Sequence, residues 1–205
     1  MRPGKAELLA AWLQAQPWGP GDASDLERIG AYRFDDPAGQ VGLETLLVRV
    51  AGCVWQVALT YRAAPLPDAE AAVVGRMGHS VLGERWVYDG CADPAYVRML
   101  AATALTGVGQ SVDVAEDDGR SRLLPPTVRL ISSGWTRDPI EISEFGPPAR
   151  NEDGTAVLRS SVLELRFHHR LPPASEDVAD TPFVIRGTWA GQTEPHVLAT
   201  ASLLR

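Results

Sequence analysis

The sequence predicts an α+β protein: a mostly antiparallel, curved β-sheet with a few flanking helices, followed by a second β-rich unit. Two neighbouring stretches, 41–50 and 53–62, are strong strand signals separated by Ala51-Gly52 alone. Residues 5–16 and 94–106 carry apolar residues at helical spacing, and beyond Gly107 the chain reads almost entirely as strand and loop. With 205 residues, 45% of them hydrophobic and 22% charged, it can bury a real core and has the composition of a folded protein.

Leu8, Leu9, Trp12 and Leu13 share one face of the first helix, which Pro17 and Gly19 stop. Residues 28–34 read as a strand closed by the turn Asp36-Pro37-Ala38-Gly39. A two-residue loop at Ala51-Gly52 sets Leu46 opposite Val57 and Val48 opposite Trp55 on a core-facing side. The same register places Thr45, Arg49, Gln56 and Thr60 on the other side, expected to be wetter. Pro65 and Pro67 break that pattern, and residues 73–88 are again extended, with Gly75, Gly78 and Gly83 at bulges or bends. Asp93-Pro94 opens the second helix with a side-chain acceptor and a proline at the first position; Val97, Leu100, Ala101 and Ala104 form its apolar stripe and Gly107 ends it. Segments 110–115, 127–132, 156–171, 183–189 and 196–204 read as strands, with turns at Asp118-Gly119 and Asp153-Gly154 and long loops over 143–154 and 172–182. The expected division is 1–108 and 109–205, with the boundary near 107–110.

A net charge of −7 argues against a nucleic-acid partner, which needs a basic face to displace counterions. No run approaches the roughly 18 apolar residues of a membrane span, and residues 1–18 lack the apolar core of a signal peptide, so no membrane association and a cytoplasmic location are expected. Cys53 and Cys91 are too few for a disulfide framework and read as small buried residues. Lys5 is the sole lysine, so any chemistry that needs an ammonium must use it. Neither a phosphate-binding loop nor a dinucleotide fingerprint is present, and no cofactor is expected.

Two segments carry a family likeness. Trp55-Gln56-Val57-Ala58-Leu59-Thr60-Tyr61-Arg62 and His79-Ser80-Val81-Leu82-Gly83-Glu84-Arg85-Trp86-Val87-Tyr88-Asp89, the latter followed by Asp93-Pro94, resemble the N-terminal cap domain of maltokinases over roughly residues 24–106. The resemblance implies a curved antiparallel sheet with flanking helices. Leu163-Glu164-Leu165-Arg166-Phe167-His168-His169-Arg170-Leu171 is similar to the small-lobe strand that carries the family's phosphate-contacting lysine, with Arg166 at that position. The second unit is therefore expected to resemble a degenerate kinase small lobe. Arginine does not replace a compact ammonium, and in phosphoryl transfer the metal-holding and proton-accepting acids come from a large lobe that is not expected within these residues. The expectation leans away from an enzyme.

Other constellations are weak. Gly78-His79-Ser80-Val81-Leu82-Gly83 is one residue too long for a nucleophile elbow. His168 and His169 are adjacent on a strand and point to opposite faces, and Asp89, Cys91, Asp93 and His196 show no recognised ligand spacing, so no metal is expected. His79, Arg85, Trp86, Tyr88 and Asp89, with Arg166, make the best candidate surface for a partner or ligand. Alternation puts Trp86 and Tyr88 on one face and Arg85 and Asp89 on the other, within pairing distance. The structural alternative is that the aromatics fill the core and the charged pair ties down the helix entry. Trp18, Trp135 and Trp189 lie near loops and could form a sugar-stacking platform.

The expected function is a non-catalytic interaction or regulatory module, with a protein partner in α-glucan, maltose or trehalose metabolism. Such a module should expose an apolar patch or an open sheet edge and hold no deep polar pocket. A carbohydrate-binding protein and the accessory half of a split sugar kinase are the competing readings.

Overall fold

The computed structural model describes residues 4–79, 83–117, 120–136, 144–171 and 183–204. Ser80, the Asp118-Gly119 turn and the 172–182 loop lie outside them.

The first half is one five-stranded antiparallel sheet with helices on both sides. Helix α1 (Lys5–Gln14) precedes β1 (Glu27–Phe34), β2 (Gly42–Val50), β3 (Cys53–Arg62), β4 (Val73–His79) and β5 (Gly83–Asp89), which lie in the order β1-β2-β3-β5-β4. The β2–β3 register is the one the two-residue loop predicts, Leu46 against Val57 and Val48 against Trp55. Its tight turn places Ala51 at φ 48° and Gly52 at φ 76°, the left-handed pair that a two-residue hairpin requires. A register shift between Val73 and Gly75 marks a bulge at the expected place. Asp93 caps helix α2 (Pro94–Thr106) by accepting the Ala95 N–H, and Gly107 closes it in the left-handed region at φ 72°.

The second half is a six-stranded antiparallel sheet in the order β8-β12-β13-β11-β10-β9, with a separate two-stranded hairpin, β6 (Val114–Asp117) and β7 (Arg120–Leu123). Its strands are β8 (Val128–Ser132), β9 (Ala149–Arg150), β10 (Thr155–Arg159), β11 (Leu163–His168), β12 (Phe183–Trp189) and β13 (Gln192–Leu203). The stretch expected as one strand over 156–171 is two, because Ser160 turns the chain: its hydroxyl accepts the Val162 and Leu163 N–H groups. No described helix is long and apolar enough to cross a membrane.

The expected wet face of the β2–β3 hairpin is buried, and this is the main correction to the sequence reading. Thr45, Gln56 and Thr60 are each fully buried; only Arg49 reaches outward, where it pairs with Glu27 at 2.9 Å. One side of the first sheet packs on α1 through Leu46, Val48, Trp55, Val57 and Leu59. The other packs on α2 and the second sheet in a core that includes Tyr32, Leu47, Tyr96, Leu100, Phe167 and Leu198. The polar residues on that side each hold an element of the next layer: Thr45 bonds the Tyr96 hydroxyl, Gln56 donates to the Leu198 carbonyl at 2.6 Å, and Thr60 donates to Asp93 at 2.7 Å. They satisfy their bonding in the interior, so alternation is preserved but water is absent.

The halves also share hydrogen bonds. Where β5 stops short of β3, residues 169–171 take its place: Gln56 N–H donates to the His169 carbonyl at 2.7 Å and Leu171 N–H to the Val54 carbonyl at 2.9 Å. At the far edge, Gly30 lies so close to β8 that a Cβ would come within 2.7 Å of Val128, and Thr127 bonds both backbone groups of Ala31.

Candidate functional site

The residues singled out in the sequence do not form one surface. Tyr88 and Asp89 are buried, Arg85 and Trp86 half-buried. Trp86 and Tyr88 do share a face, their rings stacked at 6.4 Å. Arg76 lies over Trp86 at 3.6 Å, and the Tyr88 hydroxyl accepts the Leu66 N–H. Arg85 donates to the Glu84 carbonyl, whereas Asp89 pairs with Arg150 and accepts the Cys91 N–H at the turn leading into α2. His79 ends β4, paired with Gly83; its side chain lies outside the described residues. Arg166 sits on the other sheet, exposed and bound to Glu164 of its own strand at 2.8 Å. The tryptophan platform is not formed: Trp18 and Trp189 are buried in different cores, while Trp135 is 77% exposed.

A buried ionic cluster joins the two sheets. Arg150 from β9 reaches Asp89 at the end of β5 and also donates to His169 Nε2 at 2.6 Å. His169 Nδ1 lies 3.0 Å from the Gln56 carbonyl, which can only accept. The proton therefore sits on Nδ1, and Nε2 is free to accept from the guanidinium. The imidazole stacks on Trp18 at 4.3 Å, and burial, then Arg150, push its pKa well below the ordinary value, so it is neutral. Burial raises the Asp89 carboxyl despite Arg150, and burial with Asp89 holds Cys91 as a thiol. Asp89, Cys91 and His169 present donor atoms within 4.8 Å of one another, a set that could hold a metal. In this arrangement their cation is Arg150. The third donor comes from 78 residues beyond Cys91, so no local spacing could reveal it. Asp93, weighed with them from sequence, faces Arg62 instead, at 2.7 Å.

The second feature is a polar cleft of about 560 Å³ between the start of α1, the β1–β2 turn, β4–β5 and residues 111–113. Glu44 forms part of its wall. Its Oε2 accepts Lys5 Nζ at 2.7 Å and the Tyr61 hydroxyl at 2.6 Å, and Lys5 lies 5.1 Å from the centre of the Tyr61 ring. Burial opposes ionisation of Glu44, but the Lys5 charge, the two hydrogen bonds and Arg33 together hold its pKa below the ordinary value. Burial and the neighbouring Glu44 push the Tyr61 phenol far up, so it stays a donor. Arg33, Asp35, Asp36, Arg85 and Asp113 complete the polar lining. This cleft was not expected. Its one legible signal was Lys5, whose significance as the sole lysine needed the fold to give it a partner.

Layered antiparallel sheets and two helices define an α+β protein, and the cap-like segments lie in its first sheet. Residues 12–93 match the maltokinase N-terminal cap domain, a match that runs from α1 to the residue that caps α2. No curated protein matches the chain. Among solved structures it is similar to a glucosamine kinase in complex with glucosamine, ADP and inorganic phosphate, with a TM-score of 0.47 and 18% identity. That alignment covers 100% of this chain and 42% of the kinase, so the chain spans less than half of that protein.

Proposed function

We propose that this protein is a non-catalytic interaction or regulatory module, with a protein partner in α-glucan, maltose or trehalose metabolism. The observation that carries the proposal is the cap-domain match over residues 12–93. Two features support it. Arg166, the residue aligned by resemblance with a phosphate-contacting lysine, is exposed on the outer side of β11 and paired with Glu164. The β6–β7 hairpin pairs with no other strand among the described residues, and its facing pair Val114 and Leu123 is 51% and 69% exposed. An exposed apolar pair on a two-stranded hairpin is what a docking surface offers. Such a module was expected to hold no deep polar pocket, and the cleft of about 560 Å³ runs against that expectation.

The test is affinity capture from native lysate with the intact protein and with Leu123→Glu. The expected result is one partner at stoichiometric yield with the intact chain and its loss with the variant. Recovery of no stoichiometric partner would overturn the proposal, as would phosphorylation of a sugar by the purified protein alone with Mg-ATP.

A further inference from the structure

The cleft beside Glu44 presents donors and acceptors in an interleaved arrangement. The Arg33 guanidinium has no hydrogen-bond or ion-pair partner among the described residues, and Arg85 gives one N–H to a neighbouring carbonyl. Lys5 commits one of its three N–H donors to Glu44. On the acceptor side, the Asp35 and Asp113 carboxylates likewise have no partner among the described residues. Asp36 differs, because its carboxylate accepts the N–H groups of Ala38, Gln40 and Val41 and so builds the turn.

This pattern discriminates between ligand classes. A phosphate-like anion would gain Arg33 and Arg85 but face Asp35, Asp36 and Asp113, and an amine would meet the reverse conflict. A neutral molecule dense in hydroxyls accepts from the guanidinium groups and donates to the carboxylates at once, leaving no charge opposed. The half-buried Tyr61 and Met77 in the lining give such a molecule an apolar strip for its C–H face. A volume of about 560 Å³ suits a small molecule.

We infer that this cleft binds a neutral polyhydroxylated small molecule of mono- to disaccharide size, held between Arg33 and Asp35 over the Lys5–Glu44–Tyr61 wall. The side chains of Arg33 and Asp35 are exposed and make no hydrogen bond or ion pair among the described residues, so they can be changed with the backbone pairing of β1 intact. The inference does not depend on the partner-binding proposal, and its failure would leave that proposal standing.

The test is calorimetric or saturation-transfer titration of the intact protein with glucose, maltose, trehalose and myo-inositol, and separately with inorganic phosphate and methylammonium. At least one polyol should bind saturably, and neither ion should. Arg33→Gln and Asp35→Asn should each weaken polyol binding by about tenfold or more, the effect of losing a hydrogen bond to a charged group. Their unfolding midpoints should match the parent. Binding of phosphate or methylammonium in place of the polyols would overturn the inference. So would polyol binding that both variants leave unchanged, or no polyol binding at all.

Discussion

Glu44 and Asp89 are two buried carboxylates on one sheet, each facing a cation, yet their pKa values move in opposite directions. Glu44 lies beside the cleft, where one oxygen takes two side-chain donors within 2.7 Å and Lys5 keeps contact with water. Asp89 lies at the junction of the sheets, with one guanidinium and one backbone N–H, and Arg150 is divided between it and His169. Burial is opposed successfully in the first case and not in the second. Counting salt bridges would treat these pairs alike; the number of donors and access of the partner to water separate them.

The largest expected effect follows at Asp89. Asp89→Ala leaves the half-buried Arg150 without its counter-charge and the buried Cys91 N–H without its acceptor, and should cost about 3 kcal/mol of stability in urea unfolding. The double variant Asp89→Leu/Arg150→Met should recover most of that loss, since it removes both charges together. If the single variant costs no more than Glu44→Gln, the contrast between the two sites is broken.

A pH series sharpens the same comparison. His169 is kept neutral in the folded protein by burial and then Arg150, whereas the unfolded chain takes up a proton as pH falls below the ordinary 6.5. Stability should therefore fall as pH drops through that value, by up to about 1.4 kcal/mol per pH unit for each histidine so held. His168, depressed by burial, acts in the same direction. His169→Gln should remove one share of the slope between about pH 7 and 5.5 and leave the other. Glu44 and Asp93 have lowered values, so their contribution is present at neutral pH and is lost only in acid, as pH falls below their ordinary 4.5 and 3.8.

Smaller changes are expected at the cleft and the hairpin. Glu44→Gln keeps the shape and an acceptor while Lys5 stays hydrated, and should cost about 1 kcal/mol in the same unfolding measurement. Ala51→Asn should stabilise by about 0.5–1 kcal/mol, since asparagine tolerates the left-handed conformation that alanine adopts there at a cost. Thermal denaturation of that variant should show a higher midpoint than the parent.

Local chemistry made much of the fold legible. The Leu46–Val57 and Val48–Trp55 register followed from the two-residue loop, and the second helix from Asp93, Pro94 and Gly107. The split of 156–171 was missed because its breaker is a serine hydroxyl capping a turn, with no glycine or proline to mark it. The candidate site was less readable. Tyr88 and Asp89 were noticed as a cluster, but the partner of Asp89 is Arg150, 61 residues away, and not Arg85 on the same strand.

By itself the sequence determined periodicity, caps, turns and the cap-domain likeness, because each depends on residues a few positions apart. Only the tertiary structure decided that Thr45, Gln56 and Thr60 face a second layer instead of water. It also decided that Arg150 and His169 meet Asp89, and that Lys5 closes on Glu44 at the rim of a cleft. A side chain's pattern says which face it occupies, but what covers that face is set by parts of the chain it cannot sense locally.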